Sequence, residues 1–304
     1  MATLISHSMI WDRARHNAFT DLARVRGTWY CVLREAGSHQ GNAGSIRVLA
    51  SADGAVWKSA ALVGLRGVDL RDPKISATPN GDLELLMGGT VVRAGAAPSR
   101  RPRISRSKDG VHWTAPAPAL EEGDWLWRST RIGQKSYGIS YRLASARRWE
   151  ARLMESDGDG SYREVVKLDV PGRPNEATLR FRKDGRAVAL VRREGGSRRA
   201  WIGTSRPPYL QWKWSETAER VGGPNFLLLP DGTMWAAART WRRGEPVVSI
   251  CRMSEHGISP VLNLPSGGDC GYPGMVVDRG VLWVSYYSSH EGRASIYLTR
   301  IRLE

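Results

Sequence analysis

Cysteine is scarce in this chain: 304 residues include three, Cys31, Cys251 and Cys270, too scattered for a disulfide framework or a metal-binding spacing. They are expected to be reduced thiols, which points to the cytoplasm. No apolar run approaches the roughly 18 residues of a membrane-spanning helix, so no membrane partner is expected. The stretch from Met1 to Trp11 lacks a basic start followed by an apolar block and does not read as a secretory signal. A long basic run is missing too, although the net charge is +15. That charge, carried nearly all by arginine, is expected to spread over many loops, and no nucleic-acid partner is expected. Phenylalanine is rare, with three residues against 13 Trp and nine Tyr. Large rings with a polar edge suit sugar faces and also the outer layers of β-folds.

What the chain does contain is a repeat. Its units begin near residues 20, 72, 127, 176, 225 and 272. Each holds short strand-like runs around a turn, such as Arg26-Gly27, Asn80-Gly81, Asp184-Gly185 or Asp231-Gly232, and none shows a helical period. A strand repeat of about fifty residues is the mark of propeller blades. The fold expected is all-β, a six-bladed β-propeller over residues 1–304 as a single domain. Runs such as Ala187 to Val191 are continuously apolar, which fits strands buried on both faces between neighbouring blades. The Pro-, Ala- and Arg-rich stretch from Arg93 to Arg106 is expected to be a long exposed loop. The sixth unit has three strands before the chain stops, and an open sheet edge is a liability. Leu4 to Trp11 is therefore expected to close the last blade by pairing with Ser295 to Arg302.

Two unit ends, Ser51-Ala52-Asp53-Gly54-Ala55-Val56-Trp57 and Ser107-Lys108-Asp109-Gly110-Val111-His112-Trp113, are one residue short of Ser-x-Asp-x-Gly-x-x-Trp, the Asp box (BNR repeat). Ser156 to Gly160 is a worn copy. The box is specific for propellers and weak for chemistry.

The second half of the chain resembles sialidases (neuraminidases). The matching residues are Asn175-Glu176 at the start of an inner strand, Arg192 or Arg193 about fifteen residues on, Arg239 in the next blade, and Tyr272 within Gly271-Tyr272-Pro273 in the last. The likeness is loose over all six blades and fairly close from residue 173 to 290. It implies a retaining, exo-acting glycoside hydrolase with Tyr272 as nucleophile and Glu176 as its base, the known exception to the two-carboxylate rule. Arg192, Arg193 and Arg239 would then bind an anionic group. The chain departs from the family in blade one. Where sialidases carry Arg-Ile-Pro it reads Ala18-Phe19-Thr20-Asp21, leaving Arg34 or Arg71 to substitute. The acid/base loop is unmatched, with Asp72 and Asp21 as candidates. The sugar is then a sialic acid, a uronic acid or a neutral one.

In a propeller the first residues of the inner strands converge on the axis. That puts Asp21, Arg71, Asp72, Arg128, Glu176, Asn225 and Tyr272 around one pocket. Acids, arginines and a phenol suit glycosyl transfer to water, because a carboxylate beside a phenol can take its proton. Glu176 is then expected within about 2.6–3.2 Å of the Tyr272 hydroxyl. The plainer alternatives are a structural pair of Glu176 with Arg192 or Arg239, and one of Arg71 with Asp72. Tyr286, Tyr287, His290 and Glu291 offer either a sugar platform or a solvated loop. Trp201, Trp212 and Trp214 read as plugs between blades. His16 and His39 stand alone in the sequence, so no metal or other cofactor is assigned. The partner expected is a carbohydrate. The rival to the hydrolase is a non-catalytic carbohydrate-binding or interaction propeller; an acid opposite Tyr272 separates the two.

Overall fold

The computed structural model describes residues 1–40, 43–91, 98–145 and 148–304. Among these are 24 strands and no helix. They form six four-stranded antiparallel sheets, the blades of a six-bladed β-propeller. The inner strands run, in chain order, over His16–Val25, Asp69–Ala77, Asp124–Ile132, Pro174–Phe181, Gly222–Leu228 and Gly271–Asp278. The expected unit starts fall within them.

The core is a ring of six apolar clusters, each joining two neighbouring blades. Ile139, Leu153, Leu179 and Val191 meet between blades three and four, and Leu190, Ile202, Phe226 and Ala236 between blades four and five. This explains the continuous apolar runs: Ala187 to Val191 are fully buried because alternate residues face opposite neighbours. Trp201, Trp212 and Trp214 pack against the cluster between blades three and four, as plugs. The hairpin turns use the chemistry read from the sequence; Asp231 accepts the Thr233 amide at 2.9 Å, and Gly232 takes φ +85°.

The last blade closes as expected. Ala2–Trp11 lies antiparallel to Ser295–Leu303, with Leu4 opposite Ile301 and Met9 opposite Tyr297. The sheet order puts the N-terminal strand on the outer edge of blade six. The turns after Ser51 and Ser107 share one construction. Ser51 Oγ accepts the Gly54 amide at 2.9 Å, Asp53 accepts the amides of Ala55 and Val56, and Trp57 Nε1 donates to Gly54 O.

One expectation fails. Of the stretch from Arg93 to Arg106, residues 93–97 lie outside the described residues, but Ser99–Ser107 is the third strand of blade two, not a loop. It pairs along its length with Leu83–Val91. The arginines that suggested a loop are accommodated at its margins. Arg101 donates to Leu120 O, Arg103 to Pro116 O, and Arg106 to the Glu84 carboxylate.

Candidate active site

Every inner strand carries the same irregularity. Two residues of the inner strand oppose one of the second strand, between Ala18 and Asp21, Arg71 and Lys74, Leu126 and Ser129, Pro174 and Ala177, Gly222 and Asn225, and Gly271 and Gly274. These are β-bulges, which re-aim side chains. Their residues are Phe19-Thr20, Asp72-Pro73, Trp127-Arg128, Asn175-Glu176, Gly223-Pro224 and Tyr272-Pro273. In four bulges the first residue has positive φ: Phe19 (+60°), Asp72 (+50°), Gly223 (+56°) and Tyr272 (+51°). In three of them a proline follows, so no ladder N–H is lost there. Left-handed backbone is unusual at a bulky residue and concentrates at sites of function.

Glu176, Asp72 and Tyr272 stand on alternate blades, four, two and six. The Tyr272 hydroxyl donates to Glu176 Oε1 at 2.6 Å. Glu176 Oε2 accepts from Arg192 Nη1 at 2.6 Å and from the Gly223 amide at 2.7 Å. Arg192 lies on the second strand opposite the Glu176 bulge, so the two meet within one blade. Its other end binds Glu194. Gly223 must lack a side chain: a Cβ there would lie 2.8 Å from the Tyr272 ring. Burial alone would raise the Glu176 carboxyl. The Arg192 charge and hydrogen bond outweigh it, with Tyr272 and Arg239, and hold it below the usual range. Burial and then the Glu176 charge push the Tyr272 phenol up, against Arg192 and Arg239. The pair therefore rests as carboxylate and neutral phenol, with the proton already aimed at its acceptor.

Asp72 is in the opposite condition. Among the described residues its carboxylate accepts no hydrogen bond and has no ion pair within 4 Å; Arg71 pairs instead with Asp69, at 3.7 Å. Burial raises its pKa, and so does Glu176, against Arg71, Lys74 and Arg34. Asp72 is thus a carboxyl group inclined to hold its proton, within electrostatic reach of Tyr272 and Glu176. Aromatic rings wall the space. Phe19 stands edge-on to Tyr272 at 5.1 Å, and Trp127 lies 5.2 Å from it. Lys74 sits 4.2 Å over the Trp127 ring. Burial, followed by Arg128, lowers its pKa to about 8 against three carboxylates. Tyr141, stacked on Trp149 at 5.6 Å, feels the charges of Glu176 and Asp72.

Other sequence candidates are brought close without lining the pocket. Asp21 follows its bulge and is clamped by both Nη atoms of Arg128, at 2.9 Å each, while accepting the Ile75 amide. It is a brace between blades one, two and three, with no free oxygen for acid chemistry, and Arg128 is equally committed. Asn225 is a second brace, accepting from Arg180 and donating to Pro273 O. Arg193 alternates away from Arg192, bonding Glu216 at 2.8 Å and lying over Trp201. Arg34 is fully buried and held by Asp69 and Ser38 O. The arginines that remain at the pocket are Arg192, Arg71 and Arg239. Arg239 donates to Cys270 O and lies 5.7 Å over the Tyr272 ring. Arg71 lies 5.0 Å over Phe19 and donates to His39 O. Tyr286 and Tyr287 form no platform; both are buried, bonded to Pro265 O and Asp269.

Sequence reasoning missed Phe19, Trp127 and Lys74 as pocket residues. The first two occupy bulge positions equivalent to Tyr272 and Asp72, which aligning the six units would have exposed. It also treated His16 and His39 as solitary, and this is corrected: both bond Asp269 Oδ2, at 2.9 and 2.7 Å.

The fold is that of sialidase-like propellers. Solved structures similar to it over nearly its whole length include a protein of unknown function from Dyadobacter fermentans, with TM-score 0.84, 18% identity, and 100% of this chain and 99% of that one covered. An α-L-arabinofuranosidase from Fusarium graminearum in complex with an iminosugar inhibitor matches with TM-score 0.76, 13% identity and 98% of each chain. The Trypanosoma rangeli sialidase in complex with sialic acid matches with TM-score 0.72 and 13% identity, over 98% of this chain and 58% of that one. Two of these three relatives in fold are glycoside hydrolases. No family model and no curated protein matches the sequence.

Proposed function

We propose that this chain is a retaining, exo-acting glycoside hydrolase. The observation that carries the reading is the Tyr272–Glu176 hydrogen bond of 2.6 Å, held by Arg192, in a pocket that also contains the protonation-prone Asp72. In the first step the Tyr272 oxygen bonds the anomeric carbon as its proton passes to Glu176. The glycosidic C–O bond breaks, and Asp72 gives its proton to the departing oxygen. In the second step Asp72 takes a proton from water, the water oxygen replaces Tyr272 on the sugar, and Glu176 returns its proton to the phenol. A neutral phenol–carboxylate pair brings no net charge toward the oxocarbenium-like centre beyond that of the carboxylate already there. Asp72 also favours this reading over a binding propeller, because burial and Glu176 raise its pKa, which suits proton donation, whereas accepting sugar hydroxyls calls for the ionised form.

A neutral sugar fits the pocket better than sialic acid. Sialidases gather three arginines on the substrate carboxylate. Here the first-blade position is Phe19, and Arg192 is taken up by Glu176 and Glu194. Arg71 and Arg239 remain, beside rings suited to a sugar face.

The test is a panel of aryl glycosides carrying neutral, uronic and sialic sugars, assayed with wild type and Tyr272→Phe. A neutral glycoside is expected to be cleaved by wild type. Tyr272→Phe should abolish turnover while binding changes little. A fluorinated glycoside should trap a covalent adduct on Tyr272, located by peptide mass spectrometry. Full activity in Tyr272→Phe, or an adduct on another residue, would overturn the mechanism; cleavage of the sialoside alone would overturn the sugar assignment.

A further inference from the structure

We propose that His16, His39 and Asp269 form a binding site for one divalent transition-metal ion of the zinc class. The three donors come from separate places in the chain: the start of the blade-one inner strand, the loop after its second strand, and the loop leading into blade six. His16 Nε2, His39 Nδ1 and Asp269 Oδ2 all lie within 4.8 Å of one another. Both imidazoles point at the same carboxylate oxygen, at 2.9 and 2.7 Å. An ion bonded at about 2.0–2.2 Å to each donor would need only a small spreading of this triangle.

The surroundings orient the donors as metal sites require. Asp269 Oδ1 is held by the Tyr287 hydroxyl at 2.9 Å, and its amide donates to Ser289 Oγ at 2.8 Å, so Oδ2 alone is turned to the histidines. His39 is anchored through its carbonyl by Arg71. Such outer partners fix ligand geometry. His16 is almost fully buried, and among the described residues its Nδ1 has no partner. The carboxylate thus fixes its ring by Nε2 alone.

The donor chemistry selects the ion. Two imidazoles and one carboxylate suit Zn²⁺, Co²⁺, Ni²⁺ or Cu²⁺, whereas Ca²⁺ and Mg²⁺ want oxygen. Three protein ligands leave a tetrahedral ion one open position. Phe19 separates this cluster from the reactive tyrosine; its ring lies 5.2 Å from His39 and 5.1 Å from Tyr272. The inference stands apart from the hydrolase proposal, and either can fail alone.

The experiment titrates chelator-treated, full-length protein with Zn²⁺ against a chromophoric chelator, and with Co²⁺ followed by visible absorption. One equivalent per chain is expected, with the intense visible bands of four-coordinate cobalt. His39→Ala, at a partly exposed side chain, and Asp269→Asn should each weaken Zn²⁺ binding about 100-fold or more and abolish the bands, and Tyr287→Phe should weaken it about tenfold. His112→Ala removes an unrelated, exposed His–Asp pair and should change nothing. Thermal melts of each variant establish that it is folded. Absence of stoichiometric binding to wild type would overturn the proposal, as would unchanged binding in folded His39→Ala or loss of binding in His112→Ala.

Discussion

Replacing Asp72 by Asn separates function from stability at a single atom. The left-handed backbone of residue 72 is retained, because Asn tolerates positive φ as well as Asp does. What disappears is a carboxylate that the fold disfavours. Burial and the Glu176 charge raise its pKa in the folded state. A raised acid pKa means that the folded state prefers the protonated form. Stability is therefore complete below the unfolded value near 3.9 and declines as pH rises from there through the folded value. At neutral pH Asp72 costs stability, and Asn removes that cost. The expected gain is on the order of 1 kcal/mol, or a Tm higher by about 2 °C for a chain of this size. Activity moves the other way. Loss of the general acid should lower kcat about 10²–10⁴-fold on a glycoside with a poor leaving group, equal to ~2.7–5.5 kcal/mol of barrier. A nitrophenolate, which needs no proton to depart, should lose far less in the bond-breaking step. The assay pairs scanning calorimetry at pH 4 and pH 7 with kinetics on a series of aryl leaving groups. If Asp72→Asn melts several degrees lower and loses activity equally on every leaving group, Asp72 is a structural partner of its cationic neighbours and the acid assignment fails.

Other consequences follow from the same geometry. Glu176 has a depressed pKa in the folded state, so its contribution to stability is present above about 4.3 and is lost as pH falls through the folded value; Glu176→Gln should flatten the acid limb of Tm against pH and cut turnover about 10²–10⁴-fold. Gly223→Ala forces a Cβ to within 2.8 Å of the Tyr272 ring at φ +56° and should cost roughly 1–3 kcal/mol of stability, together with a fall in kcat read on the same substrate. Deleting residues 2–11 exposes the edge of Ser295–Leu303 and should produce concentration-dependent aggregation, seen by light scattering, before any loss of the other five blades' strand signal.

The fold was legible because each level of the chain agreed with the next. Turn dipeptides recur between apolar runs at a steady spacing, and six such units leave one strand unpaired at each end. The one misjudged element, Ser99–Ser107, carries four arginines and a proline that look like loop composition. This third strand tolerates them, because among the described residues its outer neighbour is only the two-residue strand Ala117–Pro118, and long side chains can reach past it. The Glu176–Tyr272 pair was legible by resemblance. Its setting was not. Arg192 and Arg193 are equivalent in sequence, and only the alternation of the strand decides that Arg192 meets Glu176 while Arg193 turns to Glu216. Asp21 and Asp72 differ by two positions in register, Asp72 opening its bulge and Asp21 following its own, and that difference separates a clamped brace from an acid with no ion pair among the described residues. The His16, His39 and Asp269 cluster draws on residues more than 200 positions apart, which no local spacing could reveal.

The bulges tie these outcomes together. A regular inner strand would alternate its side chains between the two neighbouring blades and send none toward the axis mouth. One extra residue in each inner strand breaks that alternation at the same level in all six blades. In blades one, two and six the residue turned inward is Phe19, Asp72 or Tyr272, each in left-handed backbone that a bulky L-residue adopts only at a cost of about 1–2 kcal/mol. Blade five meets the same demand with Gly223, without strain, and contributes only a backbone N–H to Glu176. If the bulge served packing alone, glycine would satisfy it everywhere. Left-handed backbone is kept at Phe19, Asp72 and Tyr272, which face the pocket, whereas the Trp127-Arg128 and Asn175-Glu176 bulges present a ring and an acid without it. That distribution links the repeat to the proposed chemistry: the blades supply one common scaffold, and the residue at each bulge decides what that blade does.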